Sequence, residues 1–366
     1  MKIAIVCPYN LEIPGGVQEH VLAEARELRR RKHKVVIVTP KPRRRKKPAD
    51  KGIYYIGQMA RIPMVNNTQT DFSATADLNA IEDFFENENP DLLHMHEPVV
   101  PIVSRQLLSQ ATCPVVGTYH AAQPENIMGR GLVSSFMPYV RAVTKQITRI
   151  TVVSDAAKML LEDEDIEPII IPNGVDLKKY KPMAVKRDQN QVLYVGRLEK
   201  RKGVYELLDA FLELKRLNPQ ARLDIVGGGP LWSRLQRRTA ELQLKDVTFH
   251  GFVSDADKRR MMSTCGVFTS PATHGESFGI VLVEAMAMGC GVVAGNNPGY
   301  RTVMKDRGSI SLVDTTNSEA FAARLHLFMT DPKLVNVWKQ WARQTIKQYD
   351  WPIVVDQYEE LFKKLV

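Results

Sequence analysis

The sequence predicts two α/β domains in tandem, each a parallel sheet doubly wound by helices on both faces. Three observations predict it. At 366 residues the chain is about twice the length of a typical single domain. Short apolar runs alternate with amphipathic stretches from end to end, and β-branched runs that stay apolar on both faces suit strands covered by helices above and below. The same rhythm recurs on either side of a polar, proline-bearing stretch between Pro172 and Asn190.

In the first half, strands are expected at KIAIV (2–6), VVIVT (35–39), DLLHMH (91–96), PVVGTY (114–119), ITVVS (150–154) and PIIIP (168–172). The helix after the first strand should bury Val17, Val21, Leu22, Ala25 and Leu28 on one face. Asn173-Gly174 is a turn signal, so the first domain is expected over 1–173 and the second over 174–350. In the second half the strands are expected at VLYVG (192–196), LDIVG (223–227), VTFHG (247–251), GVFTS (266–270), GVVAG (291–295) and ISLV (310–313). The closing segment YDWPIVVDQYEELFKKLV reads as a helix over 351–366. Asp350 is its expected N-cap, Pro352 sits in the first turn, and Val355, Tyr358, Leu361 and Phe362 form an apolar stripe.

A composition of 44% hydrophobic and 25% charged residues suits a soluble protein with ample core and leaves no segment compositionally disordered. The four cysteines are scattered without metal-ligand spacing, which fits free thiols in a reducing cytosol. MKIAIVCPYN turns polar too soon for a signal peptide, and the longest apolar run carries Glu284 near its centre, unlike a membrane-spanning helix. The net charge of +9 is local. Residues 29 to 47 hold eleven Lys or Arg and no acid, leaving 39 basic against 41 acidic residues elsewhere. Such a patch, ending in Arg43, Arg44, Arg45, Lys46 and Lys47, suggests anionic lipid, nucleic acid or a phosphorylated partner, beside the plain reading of a solvated loop. No aromatic residues interleave these cations, which disfavours nucleic acid.

Ligands of such sheets bind beyond the carboxyl ends of the strands. After the first strand, Gly15-Gly16 precedes a helix and would let backbone amides approach an anion; no G-x-G-x-x-G or Walker sequence is present. After VLYVG stands GRLEKRKG, whose Arg197, Lys200, Arg201 and Lys202 are placed to neutralise a diphosphate. After GVFTS comes THGESFGIVLVEAMAMG. From Phe278 to Met288 its only charged residue is Glu284, on a helix apolar all round and therefore buried. A buried carboxylate needs a cation or a ligand with donors, and paired ribose hydroxyls would serve. Glu276 lies in the preceding loop, within reach of sugar hydroxyls. The amides of Phe278, Gly279, Ile280 and Val281 open the helix, where a phosphate could sit. Ser254, Asp255 and Asp257 read as caps of the next helix rather than a metal-binding Asp-x-Asp. His96 and His120 end successive strands; with Glu97 they could hold a metal, though hydrogen bonding is the expected role.

Together CPYNLEIPGGVQEHV, HEP, IPNGVD, GRLEKRKG, GESFGIVLVEAMAMG and the terminal YDW helix resemble the family-4 glycosyltransferases of the GT-B fold over nearly the whole chain. Within that family the resemblance points to phosphatidylinositol mannosyltransferases, which use GDP-mannose. It implies two Rossmann-like domains facing each other across a cleft, with the C-terminal helix crossing back to the first. It also implies a retaining, metal-independent transfer of a hexose from a nucleotide sugar to a lipid or glycan acceptor. Carried over by motif, Arg197 and Lys202 would grip the diphosphate, Glu284 the ribose and Glu276 the hexose. Gly16 would admit the donor phosphate, and His120 would contact and orient the hexose, so His120, Arg197, Lys202 and Glu276 form the expected catalytic set. GFVSDADK places Val253 and Lys258 at the base-binding edge, favouring GDP. Tyr9 and Gln18 would face the acceptor. Ala121-Ala122 after His120 and Val99-Val100 after HEP replace hydroxyl and polar residues usual in the lipid-inositol enzymes, leaving fewer donors for an inositol phosphate. Such enzymes dock peripherally on the inner leaflet, a role the basic patch would fit. A nucleotide-sugar epimerase and a non-catalytic nucleotide-sugar-binding subunit are the other readings of the same fold. The first would lack the pairing of GRLEKRKG with GESFG.

Overall fold

The computed structural model describes the chain except residues 14, 43–51, 64–68, 74–76, 123–126 and 162–165, so the patch Arg43 to Lys47 lies outside the described residues. Two compact units result: Met1–Asn173 with Trp351–Val366, and Gly174–Asp350.

The first unit holds β1 (Lys2–Val6), β2 (Lys34–Lys41), β3 (Ile53–Pro63), β4 (Gln69–Ser73), β5 (Leu92–His96), β6 (Val115–Tyr119), β7 (Arg149–Val152) and β8 (Ile169–Ile170), in the spatial order β4-β3-β2-β1-β5-β6-β7-β8. Its helices are α1 (Gly16–Arg30), α2 (Leu78–Glu88), α3 (Val103–Gln110), α4 (Ile127–Thr144) and the short α5 (Asp155–Lys158). Successive residues of β1 divide between two cores. Ala4 and Val6 join one with Leu93, Met95 and Tyr119, while Ile3 and Ile5 join the other with Val21, Ala25 and Leu28 of α1. A strand apolar on both faces therefore has helices to bury each of them. All neighbouring strands run parallel except β3 and β4, which form an antiparallel edge pair that the periodicity did not anticipate.

The second unit holds β9 (Asp188–Val195), β10 (Arg222–Val226), β11 (Val247–Gly251), β12 (Cys265–Ser270), β13 (Gly291–Gly295) and β14 (Leu312–Val313), all parallel, in the order β11-β10-β9-β12-β13-β14. Its helices are α6 (Val204–Leu217), α7 (Trp232–Glu241), α8 (Asp255–Thr264), α9 (Ile280–Ala287), α10 (Pro298–Val303), α11 (Ser318–Thr330) and α12 (Pro332–Thr345). One continuous core fills it, with Leu282, Val283, Ala285 and Met286 of α9 among its members.

The last helix, α13 (Trp351–Lys363), belongs to the first unit. Val354, Val355, Tyr358, Leu361 and Phe362 are buried against β1 and α1, worth roughly 10 kcal/mol as an upper bound at about 2 kcal/mol per apolar side chain. Arg31, one residue past α1, clamps it. Nη1 donates to Asp356 at 2.6 Å and Glu359 at 2.7 Å, and Nη2 to the Pro352 carbonyl at 2.7 Å. Asp350, expected to cap α13, instead accepts from the Leu177 amide at 3.2 Å.

The strand orders locate the ligand crevices. In the first unit the connections run one way from β1 toward β2 and the other way from β5 toward β6; in the second the reversal lies between β9 and β12. A crevice opens outside the carboxyl ends of the strands at each such switch point.

Candidate active site

At the β9–β12 switch point two loops meet. The loop after β9 carries Arg197 to Lys202, and the loop after β12 carries Glu276. Arg201 Nη1 and Lys202 Nζ both reach Glu276 Oε1 at 2.6 Å. Glu199, buried in the same loop, accepts from Arg197 at 2.7 Å and from Arg201 at 3.2 Å. Two carboxylates thus hold three cations in one place, while the Arg197 side chain stays half exposed. The close approach of the loops rests on two glycines. Gly203, at φ +70°, opens α6 where a Cβ would collide with the Pro271 carbonyl, and a Cβ on Gly299 of α10 would collide with the carbonyl of Glu276 itself. Asn297 then ties α10 to the β12 loop: its side chain caps Tyr300 N at 3.0 Å and donates to the Ala272 carbonyl at 2.9 Å.

Glu284 lies one helix away on α9, in the nearly all-buried setting the sequence predicts. It has two partners among the described residues. Tyr180 Oη donates to Oε1 at 2.5 Å, and Lys258 Nζ lies 3.3 and 3.2 Å from the two oxygens. Its burial therefore does not by itself require a ligand: of the two ways the sequence left open to offset the buried charge, a cation is present. Lys258, expected at the base-binding edge, spends its charge here and also sits 5.3 Å from the Tyr180 ring centre. Val253 stands with Ser254 just before α8, and Ser254 caps that helix by accepting from Asp257 N at 3.1 Å. The side chain of Phe278 is buried against Tyr349, ring centres 5.4 Å apart, so only its amide could face a ligand. Gly279 takes φ +104° as the N-cap of α9, and the amides of Ile280 and Val281 follow it.

The first unit gathers a second constellation at its own switch point. His96 ends β5 and His120 follows β6, with His96 Nδ1 2.8 Å from His120 Nε2. Behind them Glu24 of α1, fully buried, takes His94 Nδ1 on Oε1 at 2.7 Å and His96 Nε2 on Oε2 at 3.1 Å. His20, one helical turn earlier, bonds Asn173 Oδ1 through Nδ1 at 3.0 Å. Burial lowers the pKa of His20 to about 4 and that of His96 to about 3, so both stay neutral. Burial and the neighbouring imidazoles likewise hold His120 well below the usual range. Burial raises the pKa of Glu24, but the hydrogen bonds and favourable electrostatics of His94 and His96 outweigh it, and the net shift is downward. Glu97, with φ +48°, accepts from the amides of His120 and Ala121, each at 2.8 Å. It contacts no cation among the described residues, and burial raises its pKa to about 7. Pinning this loop is its structural contribution. Gln18, partly exposed on α1, donates to the Asn10 carbonyl at 3.4 Å; Gly16 opens α1 on the surface, and partly exposed Tyr9 follows β1.

The structure thus brings Arg197, Lys202 and Glu276 together in the second unit, and gathers Gly16, Gln18, Tyr9 and His120 near strand ends of the first. Sequence reasoning missed Glu199, Tyr180, Glu24, His20 and His94. Glu24 carried a usable signal. It falls four residues after His20 and on the inward face of α1, whereas Leu22, expected inside, is exposed.

Comparison with known proteins agrees with this geometry. Residues 14–179 match the Glycosyltransferase Family 4 model, and residues 176–345 match the Glycosyl transferases group 1 model. The chain is 32% identical to the phosphatidyl-myo-inositol mannosyltransferase of Mycolicibacterium smegmatis, over 99% of this chain and 94% of that protein. It is also 32% identical to that of Mycobacterium tuberculosis, over 99% and 97%. Among solved structures, sucrose-phosphate synthase from Thermosynechococcus elongatus superposes with a TM-score of 0.80 at 20% identity, covering 100% of this chain and 98% of that one. Anabaena Alr3699/HepE in complex with UDP and glucose gives 0.75 at 19% identity, each chain covered completely at 100%.

Proposed function

Since the chain belongs to the family-4 glycosyltransferases of the GT-B fold, we propose that it is a retaining mannosyltransferase moving mannose from GDP-mannose to a lipid acceptor of the phosphatidylinositol type. The observation that carries the reading is the cluster at the carboxyl ends of β9 and β12, where Arg201 and Lys202 meet Glu276 while Glu199 holds Arg197 and Arg201 beside them. A departing nucleoside diphosphate develops negative charge, and cations fixed in advance by carboxylates stabilise it without reorganisation. Arg197 and Lys202 take the diphosphate. Glu276, released in part from its cations, accepts from hexose hydroxyls. The amides opening α9 add partial positive charge. His120 orients the hexose, with Gly16 admitting the donor phosphate and Tyr9 and Gln18 facing the acceptor. Configuration is retained by front-face attack, the acceptor hydroxyl passing its proton to the leaving phosphate oxygen, and no metal takes part. Identity to lipid mannosyltransferases along 99% of the chain supports both donor and acceptor class.

The acceptor requires a membrane surface, and no helix among the described residues is long and apolar enough to cross one. Peripheral docking at the inner face of the membrane through the basic segment ending at Lys47 fits that requirement, each cation contributing about 1 kcal/mol near anionic lipid. Calorimetric titration with GDP, UDP and ADP, followed by GDP-mannose turnover on phosphatidylinositol vesicles, tests the reading. GDP should bind at least about tenfold tighter than UDP, a difference of about 1.4 kcal/mol. Tighter UDP binding would reassign the donor; GDP binding without turnover on any acceptor would leave a binding subunit.

A further inference from the structure

Glu24 sits at the centre of the buried imidazole cluster, and its charge dictates the direction of every hydrogen bond around it. Ionised, it can only accept. His94 therefore donates from Nδ1 (2.7 Å), and His96 donates from Nε2 (3.1 Å). A neutral imidazole carries one N–H, so His96 is left with a bare Nδ1, which must accept from His120 Nε2 at 2.8 Å. On the other branch, His94 Nε2 must accept from Thr118 Oγ1 at 2.7 Å, and Thr118 accepts from Thr151 at 2.6 Å. The carboxylate is fully buried, as are His94 and His96, so water cannot substitute for any link.

We propose that Glu24 is a positioning residue for transfer: acting through His96, it fixes the His120 imidazole with its proton on Nε2 and its acceptor lone pair on Nδ1. The proposal rests on the transferase reading for its kinetic consequence, but not for its tautomer assignment. His120, 7% exposed, is the outermost member of the chain of bonds, and the two links behind it are closed to solvent. The carboxylate of Glu24 thus never needs to meet substrate. Without it, His96 would have no reason to present Nδ1 rather than N–H to its neighbour, and His120 would be free to adopt either tautomer.

A competing arrangement makes the opposite assignment. His20 Nε2 is buried without a hydrogen bond, 3.6 Å from Glu24 Oε2, and with His96 Nε2 these atoms lie within 4.8 Å of one another. A divalent ion bound there would move the His96 proton to Nδ1 and force His120 to accept at Nε2. The two schemes differ in the position of two protons, which long-range 1H–15N spectra of the imidazoles read directly in the full-length protein. We expect Nε2–H for His96 and His120 and Nδ1–H for His94. A bare His120 Nε2, or one equivalent of zinc in the purified protein by elemental analysis, would overturn the proposal. Glu24→Gln offers one acceptor and one donor where two acceptors are needed. It should mix the His120 tautomers and lower kcat roughly 10- to 100-fold while KM for the donor changes less than about threefold. Glu24→Asp, keeping the charge, should recover most of both. An unchanged His120 tautomer in Glu24→Gln would sink the relay. If the wild-type protein turns over no nucleotide sugar, the spectra still decide the relay and the failure belongs to the transferase reading. Should Glu24→Gln not fold, the wild-type assignment remains the deciding measurement.

Discussion

Glu284 pairs with Tyr180 and Lys258 among the described residues, and these partners predict different outcomes for its two simplest replacements. Glu284→Ala removes the acceptor of the buried Tyr180 hydroxyl and the carboxylate beside Lys258, a loss of about 1–3 kcal/mol. Glu284→Gln keeps an acceptor for Tyr180 and should unfold near the wild-type temperature. If the carboxylate also holds a ribose, both variants should bind GDP at least about tenfold more weakly by calorimetry; wild-type affinity in Glu284→Gln would leave the residue to Tyr180 and Lys258. The first unit makes a separate prediction about pH. His20 and His96 have folded pKa values of about 4 and 3, below the ordinary 6.5, and His120 is lowered too. The unfolded chain then binds protons that the folded one does not, so stability present above pH 6.5 is lost as the pH falls toward 4. Glu97 acts oppositely: its pKa is raised to about 7 from 4.5, so its contribution is present below pH 4.5 and lost as the pH rises through 7. Thermal unfolding followed from pH 8 to 4.5 should therefore show a maximum near neutrality. Glu97→Gln should remove the decline on its alkaline side. Arg197, Lys202 and Glu276 were legible because charges clustered at a strand end need few assumptions. The role of Glu24 was not: its inward place on α1 follows helical spacing, but its partner His94 lies on a strand 70 residues away, which no helical periodicity reports.

At the scale of elements, the doubly wound rhythm was legible because parallel strands buried on both faces leave continuous apolar runs, and every run named in the sequence overlaps a strand. The β3–β4 pair was not. Its segment, IYYIGQMARIP with QTDFS, mixes polar and apolar residues as an antiparallel edge does, and it lacks the apolar continuity that marked the rest. The helices around Glu276 contain a testable fit. Gly299 lets α10 pass against the Glu276 carbonyl, so Gly299→Ala must displace one backbone or the other. We expect a loss of about 1–3 kcal/mol in urea unfolding, as for other overpacked sites, with turnover falling further than global stability explains. An alanine variant of unchanged stability and activity would mean that the loop bearing Glu276 is free to shift, contrary to the bracing by Asn297 and Tyr300.

For the whole molecule, two units with separate cores predict departure from a single cooperative transition. Removing residues 351–366 sharpens the expectation. It uncovers the face of β1 and α1 that Val354, Val355, Tyr358, Leu361 and Phe362 cover, and it deprives Arg31 of Asp356 and Glu359. Calorimetry of the truncated chain should lose the transition of the first unit and keep that of the second, with GDP still raising the surviving one. Loss of both transitions would show that neither unit stands without the other.

The path of the backbone also sets an order of events on the ribosome. The second unit is translated in full before α13 emerges, so the half made first is the half finished last. During that interval the nascent polypeptide carries an uncovered oily seam along α1, and emergence of α13 from the exit tunnel, rather than synthesis of any site residue, is the step that seals it.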